Sequence, residues 1–226
     1  MTVGEDDTYD SYDSKIQGVL EKEASIHGDI LQDDFIDSYR NMTIKTIMAF
    51  RWFYQYCAGA QFVMKADDDV FINTPALLSI IKLLNDELQK TMFGRCYDRG
   101  VRVYRNEMHK WFVTRTQYNG SHFHPYCVGI GYIMGSVLAI KVASDMPNIP
   151  IFPIEDAYVG AYVNKYNGSI ENIPGFGIRF NQLLEYSILR KVFSLIKSGN
   201  VLLIHKAPDE YLNIFWKLAY VFAVHP

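Results

Sequence analysis

Hydrophobic and polar positions follow two spacings along this chain, one typical of helices and one typical of strands. Apolar residues recur every three or four positions in two stretches, 14–27 and 43–59, which predicts helices with one buried face, and three further stretches are also predicted to be helices. These further stretches cover residues 76–88, 157–166 and 209–219. Shorter apolar runs predict strands at residues 29–32, 61–66, around Phe93, 101–104 and 201–205. Because strands alternate with helices and no linker divides the chain, we expect one α/β domain, residues 1–226, around a mostly parallel sheet.

The composition excludes several classes of protein. The 226 residues are 49% apolar and 21% charged, which suffices for a core and excludes a disordered, collagen-like or coiled-coil chain. Twenty-two basic and 25 acidic residues give a net charge of −3, so nucleic acid is not expected as a partner. The acidic N-terminus lacks the apolar core of a signal peptide. Residues 127–142, the longest apolar stretch, contain three glycines and are too short to span a bilayer.

The clearest chemical signal is a run of three carboxylates, Asp67, Asp68 and Asp69, directly after an apolar strand. Adjacent carboxylates repel one another, and a hard divalent cation removes that conflict because Mg²⁺ and Mn²⁺ prefer oxygen ligands. In extended backbone Asp67 and Asp69 point to the same side and could face one ion. The run alone leaves a solvated acidic turn as an equally good interpretation.

Two further positions have both a structural and a chemical interpretation. Glu155 and Asp156 begin a predicted helix, where acidic residues ordinarily compensate the helix dipole, although a general base in a cleft would also fit. His205 ends an apolar strand, where a lone histidine is more often structural. Near a metal, its nitrogen would shift the preference from Mg²⁺ toward Mn²⁺.

Five blocks of sequence, taken in order, resemble one enzyme family. They lie at residues 29–39, 41–46, 64–73, 126–132 and 155–160. Together they are similar to the β-1,3-galactosyltransferase and β-1,3-N-acetylglucosaminyltransferase family, which also contains Fringe, and the likeness runs from Lys15 to Trp216. The resemblance implies a GT-A fold, a nucleotide-sugar-binding α/β sandwich with an acidic metal motif at a strand end. It also implies an inverting transferase that uses a UDP-sugar and Mn²⁺.

The resemblance assigns roles to the metal and donor side of this site. Asp69 and His205 would bind Mn²⁺, while Lys65, Asp67 and Asp68 would contact the UDP-sugar. The donor would be UDP-galactose or UDP-N-acetylglucosamine, and the product a β-1,3 linkage. The acceptor would be a glycan on a protein or a lipid.

On the acceptor side, the resemblance makes Asp156 the base that deprotonates the acceptor hydroxyl. Glu155 is the rival base and, with Trp111, a candidate wall of the sugar site. A core position for Trp111 is an equally good interpretation.

Family members are mostly Golgi membrane proteins with a lumenal catalytic domain, but nothing resembling their anchor or first strand-helix unit precedes Lys15. We therefore expect an N-terminally shortened transferase, attached to a membrane only through an anchor that this chain lacks. The competing hypothesis is a non-catalytic module with a degenerate transferase fold, which binds sugar or a partner protein without turnover. The sequons at Asn41, Asn119 and Asn167 indicate only weakly a secretory route.

Three cysteines allow one disulfide bond and one free thiol. Cys57 lies just before the strand that leads to the acidic run, and Cys127 lies in the glycine-rich block expected beside that strand. We therefore predict a Cys57–Cys127 bond and a free Cys96.

Overall fold

The computed structural model of the protein describes residues 7–180 and 186–224. The chain divides into two compact units, Met1–Ile36 and Asp37–Pro226. In the first unit, helix α1 (Asp7–His27) includes the predicted helix and ends at Gly28. Gly28 has a φ of 65°, a left-handed conformation that glycine adopts without strain and that commonly ends a helix.

The strand predicted at residues 29–32 was wrong, because this segment has no regular structure. Two side-chain hydrogen bonds join Gln32 to Gln17 of α1, with N–O distances of 3.1 and 2.8 Å. These bonds hold the segment beside its own helix. A strand instead needs a neighbouring strand to take its backbone hydrogen bonds, and a two-residue apolar run does not specify one.

The second unit contains helices and strands in alternation. A short 3₁₀ turn (Tyr39–Asn41) precedes them. In chain order they are α2 (Met42–Tyr56), β1 (Phe62–Ala66), β2 (Val70–Ile72), α3 (Thr74–Leu83), α4 (Asn85–Leu88), β3 (Thr91–Tyr97), β4 (Tyr126–Gly135), α5 (Ser136–Asp145), α6 (Glu155–Lys165), β5 (Ser169–Asn172), β6 (Ile178–Arg179), α7 (Tyr186–Lys197), β7 (Leu203–His205) and α8 (Asp209–Val224). The predicted helices 43–59, 157–166 and 209–219 and the strand 61–66 are confirmed, with ends that differ by a few residues.

Two predicted elements take a different form. The helix predicted at 76–88 is divided into α3 and α4, which meet at Leu84. Residues 101–104 do not form a strand, since only Arg102 and Tyr104 make isolated bridges, to His122 and Phe112. Backbone hydrogen bonds hold this loop, for example from Val103 N–H to the Ser121 carbonyl oxygen, and Arg105 adds side-chain bonds to the carbonyl oxygens of three residues. These are Val113, Tyr118 and Gly120.

The described strands form two sheets, in the orders β1-β4-β3-β5 and β2-β7-β6. The α/β class is therefore confirmed, and both sheets are mixed. β3 pairs with β5 and β6 with β7 in parallel, as crossover helices favour. β4 runs antiparallel to β1 and β3, and β7 runs antiparallel to β2.

The main core lies between the first sheet and helices α2, α5 and α6. Strand β4 contributes Tyr132 and Met134, and α6 contributes Tyr158 and Tyr162, all four without solvent exposure. A second cluster packs β2 and β7 against α7 and α8 around Phe215. Because α6 is buried along most of its length, its first residues are fixed relative to β4.

The disulfide prediction was wrong: Cys96 bonds Cys127, and Cys57 is a free thiol. Cys96 and Cys127 face each other across β3 and β4, with their Cα atoms 3.7 Å apart. The prediction failed because β4 runs antiparallel to β1, so Phe62 pairs with Gly135. Cys57 comes just before β1 and therefore lies toward the last residues of β4, whereas Cys127 is near its first residue.

The three sequons differ in exposure. Asn119 and Asn167 lie exposed in loops, whereas Asn41 is half-buried at the start of α2. Thr43 of that sequon is fully buried and its hydroxyl donates to the carbonyl oxygen of Phe152 at 2.7 Å. Within residues 7–180 and 186–224, no helix has both the length and the apolar character needed to cross a membrane.

Candidate active site

Strand pairing brings the acidic run next to His205. The run forms the turn between β1 and β2, and Val70, the first residue of β2, is the cross-strand partner of His205. The carbonyl oxygen of Asp69 accepts the backbone N–H of Lys206 at 2.8 Å. His205 Nε2 consequently lies 3.4 Å from Asp69 Oδ1. Two segments far apart in sequence thus meet at one sheet edge.

Asp67, Asp69 and His205 form a group suited to a metal ion. One ligand atom from each lies within 4.8 Å of the others. Two carboxylate oxygens and one imidazole nitrogen suit Mn²⁺ better than the all-oxygen sets typical of Mg²⁺. His205 Nδ1 is buried without a hydrogen-bond partner among the described residues. The residues present therefore fit a divalent transition metal. The sequence predicted Asp69 and His205 as its ligands, and the structure places Asp67 beside them.

A cleft of about 530 Å³ adjoins the acidic turn. It lies between the start of α2 and the end of β1. Its lining residues are Met42, Lys45, Thr46, Ala49, Phe50, Val63, Met64, Lys65, Ala66, Asp67 and Asp68. The three residues predicted to bind the donor, Lys65, Asp67 and Asp68, all lie on this wall. Their contact with a nucleotide sugar stays a prediction.

Asp156 is held by two backbone groups. The N–H of Gly129 in β4 donates to Oδ2 at 3.0 Å, and the N–H of Ala157 donates to Oδ1 at 2.8 Å. Burial of this carboxyl, and next the charge of Glu155, raise its pKa to about 7, despite the two hydrogen bonds that favour the ionised form. A carboxyl with this pKa can exchange a proton near neutral pH, as a general base requires.

Lys65 connects the acidic turn to the Glu155–Asp156 pair. Its Nζ donates to Asp67 Oδ1 and to the carbonyl oxygen of Gly129, both at 2.5 Å, and lies 3.0 Å from Glu155 Oε1. Burial lowers the pKa of Lys65, but the charges of Glu155 and Asp67 outweigh burial and raise it. Burial also raises the pKa of Glu155, although Lys65 acts in the opposite direction.

Glu155 is a buried partner of Lys65 in this structure. Its Oε2 has no hydrogen-bond partner among the described residues. The nearby hydroxyl of Tyr132 is likewise buried without a partner, and burial together with Glu155 and Asp156 raises the pKa of Tyr132. The predicted role of Glu155 as a sugar wall or rival base stays a prediction.

Trp111 is not a core residue, since 45% of it is exposed. Its indole Nε1 donates to the hydroxyl of Tyr39 at 3.0 Å, and its ring packs against those of Tyr104 and His109. Tyr39 directly precedes the segment that enters α2, whose Met42 and Lys45 line the cleft. An exposed, ordered indole is consistent with the predicted sugar wall, which stays a prediction.

Sequence analysis missed the role of Gly129. This residue offers its carbonyl oxygen to Lys65 and its N–H to Asp156. A Cβ atom at this position would lie 2.3 Å from Glu155 Oε1 and 3.3 Å from Lys65 Nζ, so the ion pair leaves no space for a side chain. The glycines of the block at 126–132 were the only sign of this close approach in the sequence.

Comparisons with known proteins show which family this chain resembles. The profile of the family described as "Galactosyltransferase" matches residues 3–174. UDP-GalNAc:beta-1,3-N-acetylgalactosaminyltransferase 1 of Homo sapiens is 40% identical over 201 residues, covering 88% of this chain and 57% of that protein. The same protein of Rattus norvegicus is 41% identical over 145 residues, covering 64% and 43%. Beta-1,3-galactosyltransferase 5 of Pan paniscus is 31% identical over 175 residues, covering 76% and 56%. The chain spans about half the length of the curated relatives it matches.

Proposed function

The chain belongs to the galactosyltransferase family, and on this premise we propose that it transfers a hexose from a UDP-sugar to a hydroxyl of an acceptor glycan. The bond formed is a β-1,3 glycosidic linkage, and the anomeric centre is inverted. The relatives above are named as β-1,3-galactosyl- and β-1,3-N-acetylgalactosaminyltransferases. UDP-galactose and UDP-N-acetylgalactosamine are accordingly the first donors to test, with the predicted UDP-N-acetylglucosamine beside them.

Asp67, Asp69 and His205 would hold Mn²⁺ at the end of β1, with Asp68 on the adjoining cleft wall. When bound there, the ion would stabilise negative charge on the diphosphate of the donor. Because two carboxylates and the UDP diphosphate repel one another, that positive charge should greatly strengthen the binding of UDP at this position. Strong dependence of UDP binding on Mn²⁺ is therefore the first consequence of the proposal.

Asp156 acts as the general base. The acceptor oxygen attacks C1 of the donor sugar, the bond from C1 to the UDP oxygen breaks, and UDP leaves with the bonding electrons. The proton of the acceptor hydroxyl passes to the Asp156 carboxylate. The backbone N–H groups of Gly129 and Ala157 keep that carboxylate in place. A pKa of about 7 makes the transfer efficient at neutral pH, because part of the protein already carries the ionised form.

The observation that carries this proposal is the convergence of Asp67, Asp69 and His205 within 4.8 Å. A solvated acidic turn, the other interpretation of the sequence, does not account for a histidine from a distant strand that completes the group. The connection through Lys65 from Asp67 to the Glu155–Asp156 pair further supports one site with a metal side and a base side.

We also propose that the chain works in the lumen of the Golgi. A disulfide bond persists in oxidising compartments, and Cys96–Cys127 is such a bond. Asn119 and Asn167 are exposed sequons, as glycosylation in that route requires.

The deciding experiment incubates the purified chain with each of the three UDP-sugars and terminal galactose, N-acetylglucosamine or N-acetylgalactosamine acceptors, with Mn²⁺ or with EDTA. We expect a disaccharide product in the reactions with Mn²⁺ and none in those with EDTA. Methylation analysis should identify the new linkage as β-1,3. Calorimetry of UDP binding with and without Mn²⁺ runs in parallel. Metal-dependent UDP binding without product would favour the non-catalytic module. UDP binding of equal affinity with and without Mn²⁺ would contradict the metal site.

A further inference from the structure

Lys65 stands where a nucleotide-sugar enzyme could use a cation to bind the donor diphosphate, yet its ammonium group is already engaged. An ammonium has three N–H donors. Three acceptors surround Nζ: Asp67 Oδ1 and the Gly129 carbonyl oxygen, each at 2.5 Å, and Glu155 Oε1 at 3.0 Å. Every N–H therefore has a protein acceptor, and none is left for a phosphate oxygen.

We infer that Lys65 is a positioning residue, which fixes the metal-binding carboxylate of Asp67 relative to the helix that carries the base. This inference rests on the proposed function and replaces the donor contact predicted for Lys65. Its three partners come from the turn after β1, from β4 and from the first residue of α6. Since Gly129 also donates to Asp156, one lysine and one glycine join the metal side and the base side of the site.

Burial makes this connection rigid. The side chain of Lys65 is 19% exposed and that of Glu155 is 10% exposed, so water has little access to either charge. An ion pair in such surroundings breaks at high cost if one member is removed, because the other is left as an uncompensated buried charge. Asp67 thereby has one preferred position before any ion binds.

Gly129 supports the same inference independently of the hydrogen bonds. A Cβ atom there would be 2.3 Å from Glu155 Oε1, far inside contact distance. The absence of a side chain at this point of β4 is thus what lets Lys65 and Glu155 meet against the strand.

The test is a double-mutant cycle on the full chain with Lys65→Met, Glu155→Gln and the double variant. Calorimetry measures UDP affinity in Mn²⁺ and in EDTA, and Mn²⁺ affinity on its own. A positioning role predicts that Lys65→Met weakens Mn²⁺ binding and Mn²⁺-dependent UDP binding by roughly 10- to 100-fold, the usual range for residues that orient metal ligands. UDP affinity in EDTA should then stay unchanged within about threefold.

The double variant distinguishes positioning from direct contact. Without Lys65, the charge of Glu155 is uncompensated and repels Asp67, so its neutralisation should leave the double variant no worse than Lys65→Met alone. If Lys65 instead contacts the diphosphate, the two effects multiply and the Lys65→Met loss also appears in EDTA. That result would overturn the inference.

Lys165→Met is the matched control, because Lys165 also forms an ion pair with a carboxylate, Asp145, but on the exposed side of α6. It should leave both affinities unchanged. If Lys65→Met does not fold, the double variant is compared with Glu155→Gln in Mn²⁺ affinity measured without UDP: a loss of tenfold or more supports positioning, and a smaller change contradicts it. If the wild-type chain binds UDP with the same affinity in Mn²⁺ and in EDTA, the proposed function itself is contradicted.

Discussion

Both acidic groups of the candidate site consist of carboxylate side chains, but their surroundings differ. The group at residues 67–69 occupies a turn open to solvent, where 46% of the Asp69 side chain is exposed. The pair at 155–156 lies at the start of a buried helix, where only 10% of the Glu155 side chain is exposed. Water solvates the first group and can be replaced by a cation and a substrate. Backbone N–H groups and Lys65 take the place of water around the second.

This difference separates two tasks that carboxylates perform in one site. Exposed carboxylates retain their charge and can ligate an ion. Buried ones bind a proton more tightly, which adapts them to proton transfer near neutral pH. Four measurements test this contrast between the open group and the buried pair.

The largest effect is expected on the open side, from Asp69→Ala. This change removes one of three candidate metal ligands, and loss of metal-assisted charge stabilisation costs several kcal/mol, or roughly a thousandfold in transfer rate. The melting temperature should be unchanged, because the side chain is half exposed and in a turn. A stably folded Asp69→Ala protein that keeps Mn²⁺-dependent activity would show that the open group does not hold the metal.

The next effect concerns the strand that carries Gly129. Cys96→Ser should lower the free energy of unfolding by about 3–4 kcal/mol, several hundredfold in the folding equilibrium, because the bond closes a loop of 31 residues. Cys57→Ser should cost about 1 kcal/mol or less, since that thiol is free. Urea unfolding without reductant measures both. Peptide mapping that recovers Cys57 in a disulfide would contradict the pairing.

On the buried side, Asp156→Asn should lower turnover by roughly a hundredfold, the usual size of a general-base effect. UDP affinity with Mn²⁺ should stay within about threefold, because the proton moves only in the transition state. The amide also offers one oxygen where the carboxylate accepts from both Gly129 and Ala157, so about 1–3 kcal/mol of stability should be lost.

Asp145→Asn is the matched control for that change, because the Asp145 carboxylate also accepts hydrogen bonds, here from the side chains of Asn148 and Lys165. It should keep full turnover. An equal loss of turnover in both variants would mean that stability, and not proton transfer, explains the effect at Asp156.

The smallest effect is a pH dependence. Protonated Asp156 cannot accept the proton of the acceptor hydroxyl, so kcat/KM should fall about tenfold per pH unit below its pKa of about 7. Stability should change in the opposite sense. Between about pH 4 and 7 the native carboxyl keeps a proton that the unfolded chain releases, so the free energy of unfolding decreases as pH rises through this window.

A pH series of initial rates and of melting temperatures checks both directions. Asp156→Asn should lack the acid limb in its residual activity and should flatten the stability profile. An acid limb with its midpoint near pH 4, the value of an ordinary aspartate, would show that Asp156 is not the base or is not desolvated in the working protein.

The sequence by itself determined most of the helices and the position of the acidic turn. The apolar spacing of 43–59 specifies α2, because a buried face with helical period needs no information from the rest of the chain. The carboxylate run after the strand 61–66 likewise depends on local chemistry alone, and the family resemblance pointed to Asp156 and His205, which lie at the candidate site.

Only the tertiary structure decided which distant residues meet. The antiparallel placement of β4 between β1 and β3 pairs Cys127 with Cys96 and directs Cys57 elsewhere. The same placement puts Gly129 beside Lys65 and Glu155, so that Lys65 contacts a carboxylate and a backbone carbonyl oxygen from two distant segments. Strand order and register arise from the packing of the whole core, and local periodicity is the same for a parallel and an antiparallel neighbour.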